Sequence, residues 1–309
     1  MMKLAVLMIA VIISTQISWV DTILEKYDEK GKDLAKLYPE RFEALYKNVS
    51  KNWSKEQLRK LLHLKKVSEM DARTDRNLRF ILTPVSIKKQ REQHQDFIPR
   101  LVNEKTIAEG VEFFKKYKGT LKKAYDEKKV HPADIIAVIN WESRLGALVG
   151  DQSVIQIFIG QYFFAEKYEE KLFKEGAYDQ EGAMSRAAAQ KRIARLRNRS
   201  LGNLSALLNQ AVLKRFDPVE TKGSWAGAIG FPQFMPASMM YAEDGDGDGI
   251  IDLFNMHDAI MSVANYLYRH HYSSRGRAYA FRRYNPEAIY VKGVKMYGDK
   301  ARKAGIGFD

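Results

Sequence analysis

Residues 244–255 read DGDGDGIIDLFN and set carboxylates on alternate positions: Asp244, Asp246 and Asp248, with Gly249 next and Asp252 further on. Oxygens on alternate residues converge on a hard cation only where the backbone turns sharply, and a glycine at the sixth position permits that turn. The spacing is that of an EF-hand calcium loop, with Ile250 at the position that offers a backbone carbonyl. Position twelve, where a bidentate Glu is usual, is Asn255, so affinity for Ca2+ is expected to be weak and the ion structural. An acidic surface turn without an ion is the plainer alternative. Asp258 stands nearby, at a spacing that does not suit the usual loop.

A second candidate is Glu142, beside Trp141 at the end of the apolar stretch ADIIAVINW. A carboxyl held against an apolar helix loses solvation, which disfavours its charged form and raises its pKa. A raised pKa suits a general acid that protonates a glycosidic oxygen near neutral pH. Many helix-terminal glutamates simply face water, so position alone leaves both readings open.

The elements that must hold these groups read as helices. Residues 106–125 place Ile107, Val111, Phe114, Tyr117, Leu121 and Tyr125 at steps of three and four, the pattern of one amphipathic helix. Pro132 suits the first turn of the next helix, which is apolar on nearly all sides and therefore buried. Ser54 with Gln57 three residues on predicts a capping box. Residues 151–222 hold a second helical stretch interrupted near 176–182, with a short basic helix over 185–199 (SRAAAQKRIARLRNR). That helix is expected to be a solvated face, with an anionic-polymer contact as the alternative. No stretch alternates long enough to predict a strand.

The chain has 309 residues, no cysteine and a formal net charge of +13. Disulfides, thiolate metal sites, a cysteine nucleophile and a lipid-modified cysteine are thereby excluded. Lys3 followed by the apolar run LAVLMIAVII and by Ser14, Thr15 and Ser18 predicts a secretory signal peptide over 1–20. The run is too short to span a bilayer, and an uncleaved anchor is the alternative. An exported, periplasmic or secreted protein is expected, with an anionic envelope component rather than nucleic acid as partner. A helical segment over 21–97 shows no chemistry, and a unit over 98–309 carries the insertion 151–222 and the loop 244–255. A monomer is expected.

Three segments in order, ESRLG at 142–146, GSWAGAIGFPQFMP at 223–236 and AFRRYN at 280–285, carry a resemblance. Together with the acidic loop and DAIMSVANY at 258–266, they resemble the lytic murein transglycosylases of the membrane-bound lytic murein transglycosylase B type. The resemblance covers roughly residues 97–309, loosest over 151–222, and leaves 21–97 unmatched. It implies a mainly α, lysozyme-like fold with minimal strand. It also implies that a single glutamate, here Glu142, acts as acid and then base in cleaving the β-1,4 bond between N-acetylmuramic acid and N-acetylglucosamine. A 1,6-anhydromuramyl end would result, with peptidoglycan glycan strands as substrate and no organic cofactor.

The same resemblance implies substrate contacts at Ser224, Gln233, Phe234, Tyr284 and Asn285. Gly227 and Gly230 would let a glycan approach the backbone, and Phe231 and Trp225 would stack on sugar rings. Asn285-Pro286-Glu287 also reads as a helix N-cap. Two rivals remain open at this level. One is a lysozyme-type hydrolase with a remote second carboxylate, such as Asp151 or Glu220. The other is a non-catalytic, calcium-stabilised wall-binding protein.

Overall fold

The computed structural model describes residues 18–85 and 97–308. Six helices form the N-terminal part: α1 (Trp19–Leu24), α2 (Leu34–Leu37), α3 (Pro39–Val49), α4 (Lys55–His63), α5 (Lys65–Ser68) and α6 (Ala72–Leu82). Next come α7 (Phe97–Leu101), α8 (Glu104–Lys116), α9 (Lys118–Lys128) and α10 (Pro132–Ser143). The two strands are β1 (Gln152–Ser153) and β2 (Lys222–Gly223). Between them lie α11 (Val154–Ile159), a π-helical turn (Gly160–Phe164), α12 (Ala165–Lys174) and α13 (Arg186–Leu213). A 3-10 turn (Pro236–Tyr241) precedes α14 (Met256–Arg269), α15 (Tyr272–Arg275), α16 (Arg277–Tyr284) and α17 (Ala288–Lys303). The fold is mainly helical, as expected.

Most of the expected leader, residues 1–17, lies outside the described residues. The folded body already includes its last residues: the Ser18 side chain caps α1, and Val20 is buried. No helix among the described residues is long and apolar enough to cross a membrane.

Local signals act where the sequence places them. Ser54 and Gln57 cap α4 reciprocally. Pro132 opens α10, which is buried at every position from Pro132 to Asn140. The single helix expected over 106–125 is instead two, broken at Tyr117. The break sets Tyr117 edge-on to His257 at 5.4 Å and brings Thr120 Oγ1 to 2.5 Å from His257 Nδ1. Heptad-like spacing survives such a break, so periodicity did not expose it. The basic segment, expected as a short helix, is the first half of a 28-residue one. The strands pair antiparallel, Gln152 with Gly223 and Ser153 with Lys222. At two residues each they are too short to show alternation.

The apolar interior forms two clusters. One joins α1–α6 to α11–α13, so the N-terminal helices and the 154–213 helices share a core. Within it the Trp53 indole donates to the Leu208 carbonyl at 3.0 Å. The other surrounds α10 with α8, α9, α14, α16 and α17. Tyr284 packs against both and so stands at their junction.

α10 is also clamped at its start. Asp134, fully buried, takes a bidentate pair from Arg302 at 2.9 and 2.7 Å and a bond from Arg277 at 2.5 Å. Tyr272 donates to the same carboxylate. Three helices, α10, α16 and α17, thus meet at one ion cluster.

Candidate active site

Glu142 lies in the last turn of α10. Just past it, Arg144, Leu145 and Gly146 have φ of +52°, +56° and +97°, a run of left-handed residues that ends the helix sharply. Ser143 holds this turn: its hydroxyl donates to the Ile139 carbonyl at 3.2 Å and accepts the Gly146 N–H at 3.1 Å. Trp141 lies over Gly293 of α17, where a methyl group would meet its ring, and edge-on to Tyr290 at 5.7 Å.

The side chain of Glu142 is only partly exposed, and its carboxyl end lies among protein atoms. Burial pushes its pKa from an ordinary 4.5 up to about 8. The negative end of the α10 dipole acts in the same direction. Tyr290 lies beside the carboxyl and its interaction works against the shift, but burial prevails. The Tyr290 hydroxyl makes no hydrogen bond of normal geometry. Tyr284 stacks on Tyr290, with ring centroids 6.3 Å apart, and Tyr266 meets Tyr284 edge-on at 4.7 Å. Burial raises the phenol pKa of all three tyrosines, and the Glu142 charge adds to it. The family resemblance singled out Tyr284; Tyr266 closes the segment 258–266 that carries the same resemblance but has no role assigned from sequence, and Tyr290 arrives from α17 with no sequence signal.

No other carboxylate among the described residues perturbs Glu142. Asp151 pairs with Arg73, and Glu220 accepts from Lys66 at 2.7 Å and Tyr27 at 3.0 Å. Neither of the two remote partners named from sequence contributes to the shift at Glu142.

The 223–236 segment forms the adjoining wall. Ser224 closes a tight turn, donating N–H to the Ala228 carbonyl at 2.8 Å and accepting the Ala228 N–H on its hydroxyl at 3.2 Å. Gln233 adopts φ of +50° and donates its amide to the carbonyls of Val149 at 3.2 Å and Gly230 at 2.8 Å. It thereby ties this segment to the turn after Glu142. The Tyr284 hydroxyl donates to the Pro232 carbonyl at 2.6 Å. Trp225 and Leu148 are exposed apolar groups of these two loops.

Three expectations need correction. Phe234 is buried and packs on Tyr266 and Tyr284, so it backs the tyrosines and presents no face to a ligand. Gly227 and Gly230 face protein: an added Cβ would lie 2.6 Å from Phe158 and 2.4 Å from the Leu253 carbonyl oxygen. Asn285 is not the cap of α17, which begins at Ala288 with Glu287 before it. Its side chain instead accepts the Glu287 N–H at 3.1 Å, a local turn just after Tyr284.

Gly230→Ala tests the packing role. Its positive φ alone costs on the order of 1–3 kcal/mol for a residue with a Cβ, and the Leu253 backbone must also move. The expected result in urea unfolding is a lower midpoint with an unchanged slope. A midpoint equal to that of the parent chain would rule the close approach out.

In the acidic loop, Asp244, Asp246 and Asp258 each bring an oxygen within 4.8 Å of the others. Asp258, set aside on spacing, is therefore part of the cluster. It is buried at the start of α14 and accepts the Gly245 and Asp252 N–H groups at 2.7 Å. Asp248 and Asp252 accept the N–H groups of Ile250 and Phe254. Asn255 uses its side-chain oxygen to cap α14 through His257 N–H and donates to Asp246. The grouped donors are all carboxylate oxygens, which fits a hard cation such as calcium. Phe231 N–H donates to the Leu253 carbonyl at 2.8 Å, linking this loop to the wall beside Glu142.

Comparison with known proteins gives the family and the fold. Residues 41–289 match the family described as the transglycosylase SLT domain. Membrane-bound lytic murein transglycosylase B of Escherichia coli (strain K12) is 30% identical over 172 residues, 55% of this chain and 40% of that protein. The match therefore spans less than half the length of that relative. The Escherichia coli lytic transglycosylase SLT35 in complex with calcium shares the fold at a TM-score of 0.65 and 22% identity, over 89% of this chain and 96% of that one. The soluble lytic transglycosylase SltB1 from Pseudomonas aeruginosa does so at 0.62 and 22%, over 86% and 99%.

Proposed function

The chain belongs to the transglycosylase SLT domain family, and on that premise we propose that it is a lytic transglycosylase acting on peptidoglycan. The observation that carries this reading is the lone carboxyl of Glu142, raised to about pKa 8 and ringed by tyrosines. Protonated at neutral pH, it donates to the glycosidic oxygen as the bond from muramyl C1 breaks. The carboxylate left behind then takes the proton of the muramyl 6-hydroxyl, whose oxygen closes on C1. One group thus serves as acid and base, and the product is a 1,6-anhydromuramyl end. A hydrolase with two carboxylates about 5–9 Å apart is the usual alternative. The occupied positions of Asp151 and Glu220 favour the single-carboxylate route.

Tyr266, Tyr284 and Tyr290 keep water from the carboxyl and so sustain its pKa. Gln233, whose amide protons are committed to backbone, offers its oxygen to a substrate N–H or hydroxyl. Ser224, Tyr284 and Asn285 border the same junction and complete the proposed substrate contacts. The substrate sets the compartment: the chain acts outside the cytoplasm, consistent with the leader pattern over 1–20.

The pH profile tests this assignment. Cleavage needs protonated Glu142, so the rate is expected to hold through neutrality and to fall as pH rises past about 8. A rate that instead rises through that range would assign the acid elsewhere.

On this reading Asp244, Asp246 and Asp258 would hold a calcium ion, whose charge would offset their mutual repulsion and so steady the start of α14 and the Leu253 backbone. Asp244→Asn with Asp246→Asn is expected to abolish any rise in melting temperature on adding calcium. For the parent chain that rise corresponds to about 2.7 kcal/mol at a hundredfold excess over Kd. A parent melting temperature indifferent to calcium would contradict the assignment.

A further inference from the structure

The first half of α13 carries six cations that divide into two sets. Arg186 pairs with Glu169 at 2.9 Å, Arg197 with Glu166 at 2.5 Å, and Arg192 donates to the Ile81 and Thr83 carbonyls at 2.9 and 3.1 Å. Lys191, Arg195 and Arg199 face outward, exposed, and none has an ion pair among the described residues. They recur every fourth residue, so they form a line with steps of about 6 Å.

Stability does not account for that line. The helix RAAAQKRIARLRNRSLGNLSALLNQAVL contains no Asp or Glu, whereas a merely solvated face usually interleaves both signs. The outward neighbours Ala187, Ala188, Asn198 and Gly202 are short, which leaves the three cations prominent. The apolar face, with Ala189, Ile193 and Leu196, is buried in the N-terminal core. The helix therefore has no apolar face free to enter a bilayer, which an interfacial helix requires.

We propose that Lys191, Arg195 and Arg199 form a second binding site, apart from the Glu142 junction, for the peptide-stem carboxylates of insoluble peptidoglycan. The site rests on the function proposed above and deepens it: it holds the polymer while the glutamate acts on a strand. Its contribution concerns retention on the wall and not the bond-breaking step.

The test compares the parent chain with the variant Lys191→Gln, Arg195→Gln, Arg199→Gln. Co-sedimentation with isolated peptidoglycan at low salt should weaken about tenfold, as three exposed charge contacts of modest strength are lost, and high salt should erase the difference. Cleavage of short soluble glycan fragments and the melting temperature should be unchanged. Peptidoglycan whose carboxyls have been amidated should bind parent and variant alike. Equal co-sedimentation of the two chains on untreated wall would overturn the proposal. A difference that persists on amidated wall would also overturn it, as would one seen only with anionic phospholipid vesicles. If the parent chain bound through the stripe but cleaved neither wall nor fragments, the stripe would stand and the proposed activity would fall.

Discussion

Glu142→Gln should lower peptidoglycan cleavage by about 10²–10⁴-fold, the range that a positioned general acid–base contributes. The substitution keeps the shape of the side chain and removes only its ability to exchange a proton. It should also leave the fold intact. Because the folded-state pKa of about 8 lies above the ordinary 4.5, the protein is relatively most stable with Glu142 protonated. That contribution is present below about pH 4.5 and is lost as pH rises toward 8. The variant carries no such titration, so its unfolding midpoint should vary less with pH over this interval and should equal or exceed the parent's near pH 8. A variant that unfolds more readily than the parent at pH 8 would mean that the charged carboxylate has a stabilising partner in the folded protein.

Asp134→Ala should have the largest effect on stability. The carboxylate is fully buried and holds two arginines whose side chains are only 19% and 28% exposed. Breaking a buried ion cluster from one side typically costs about 3–5 kcal/mol, since the remaining charges lose their partner without regaining water. Arg277 retains Asp299, so Arg302 bears most of the loss. The helices that meet there, α10, α16 and α17, carry Glu142, Tyr284 and Tyr290, so the site is lost as the fold is lost. Thermal unfolding should show a clear drop with cleavage reduced in proportion to the folded fraction. A melting temperature within a degree or so of the parent's would show that the cluster contributes little.

What was legible in the sequence was what lies close along the chain. The buried helix, its proline start and the glutamate at its end follow from one uninterrupted segment, as does the capping box at Ser54. Tyr284 came from a short local motif. Residues whose reason lies elsewhere were misread. Gly227 and Gly230 look like openings for a ligand because nothing nearby shows that Phe158 and the Leu253 backbone occupy the space. Asp258 falls outside the loop spacing, yet the first turn of α14 swings it onto Asp244 and Asp246. Tyr266 and Tyr290 reach the glutamate from separate helices, which no spacing encodes. The 21–97 segment shows no chemistry in sequence and lies outside the resemblance, yet its helices share a core with α11–α13, and the family match begins at residue 41. Short amphipathic helices announce that they have a buried face, not what covers it.

The central claim is that one carboxyl, Glu142, cleaves a peptidoglycan strand without water as nucleophile. Mass spectrometry of the soluble fragments released from isolated peptidoglycan tests it most directly. Anhydromuramyl ends from the parent chain, and no such fragments from Glu142→Gln, are the predicted result. Reducing ends, or anhydromuramyl ends that persist in the variant, would contradict it.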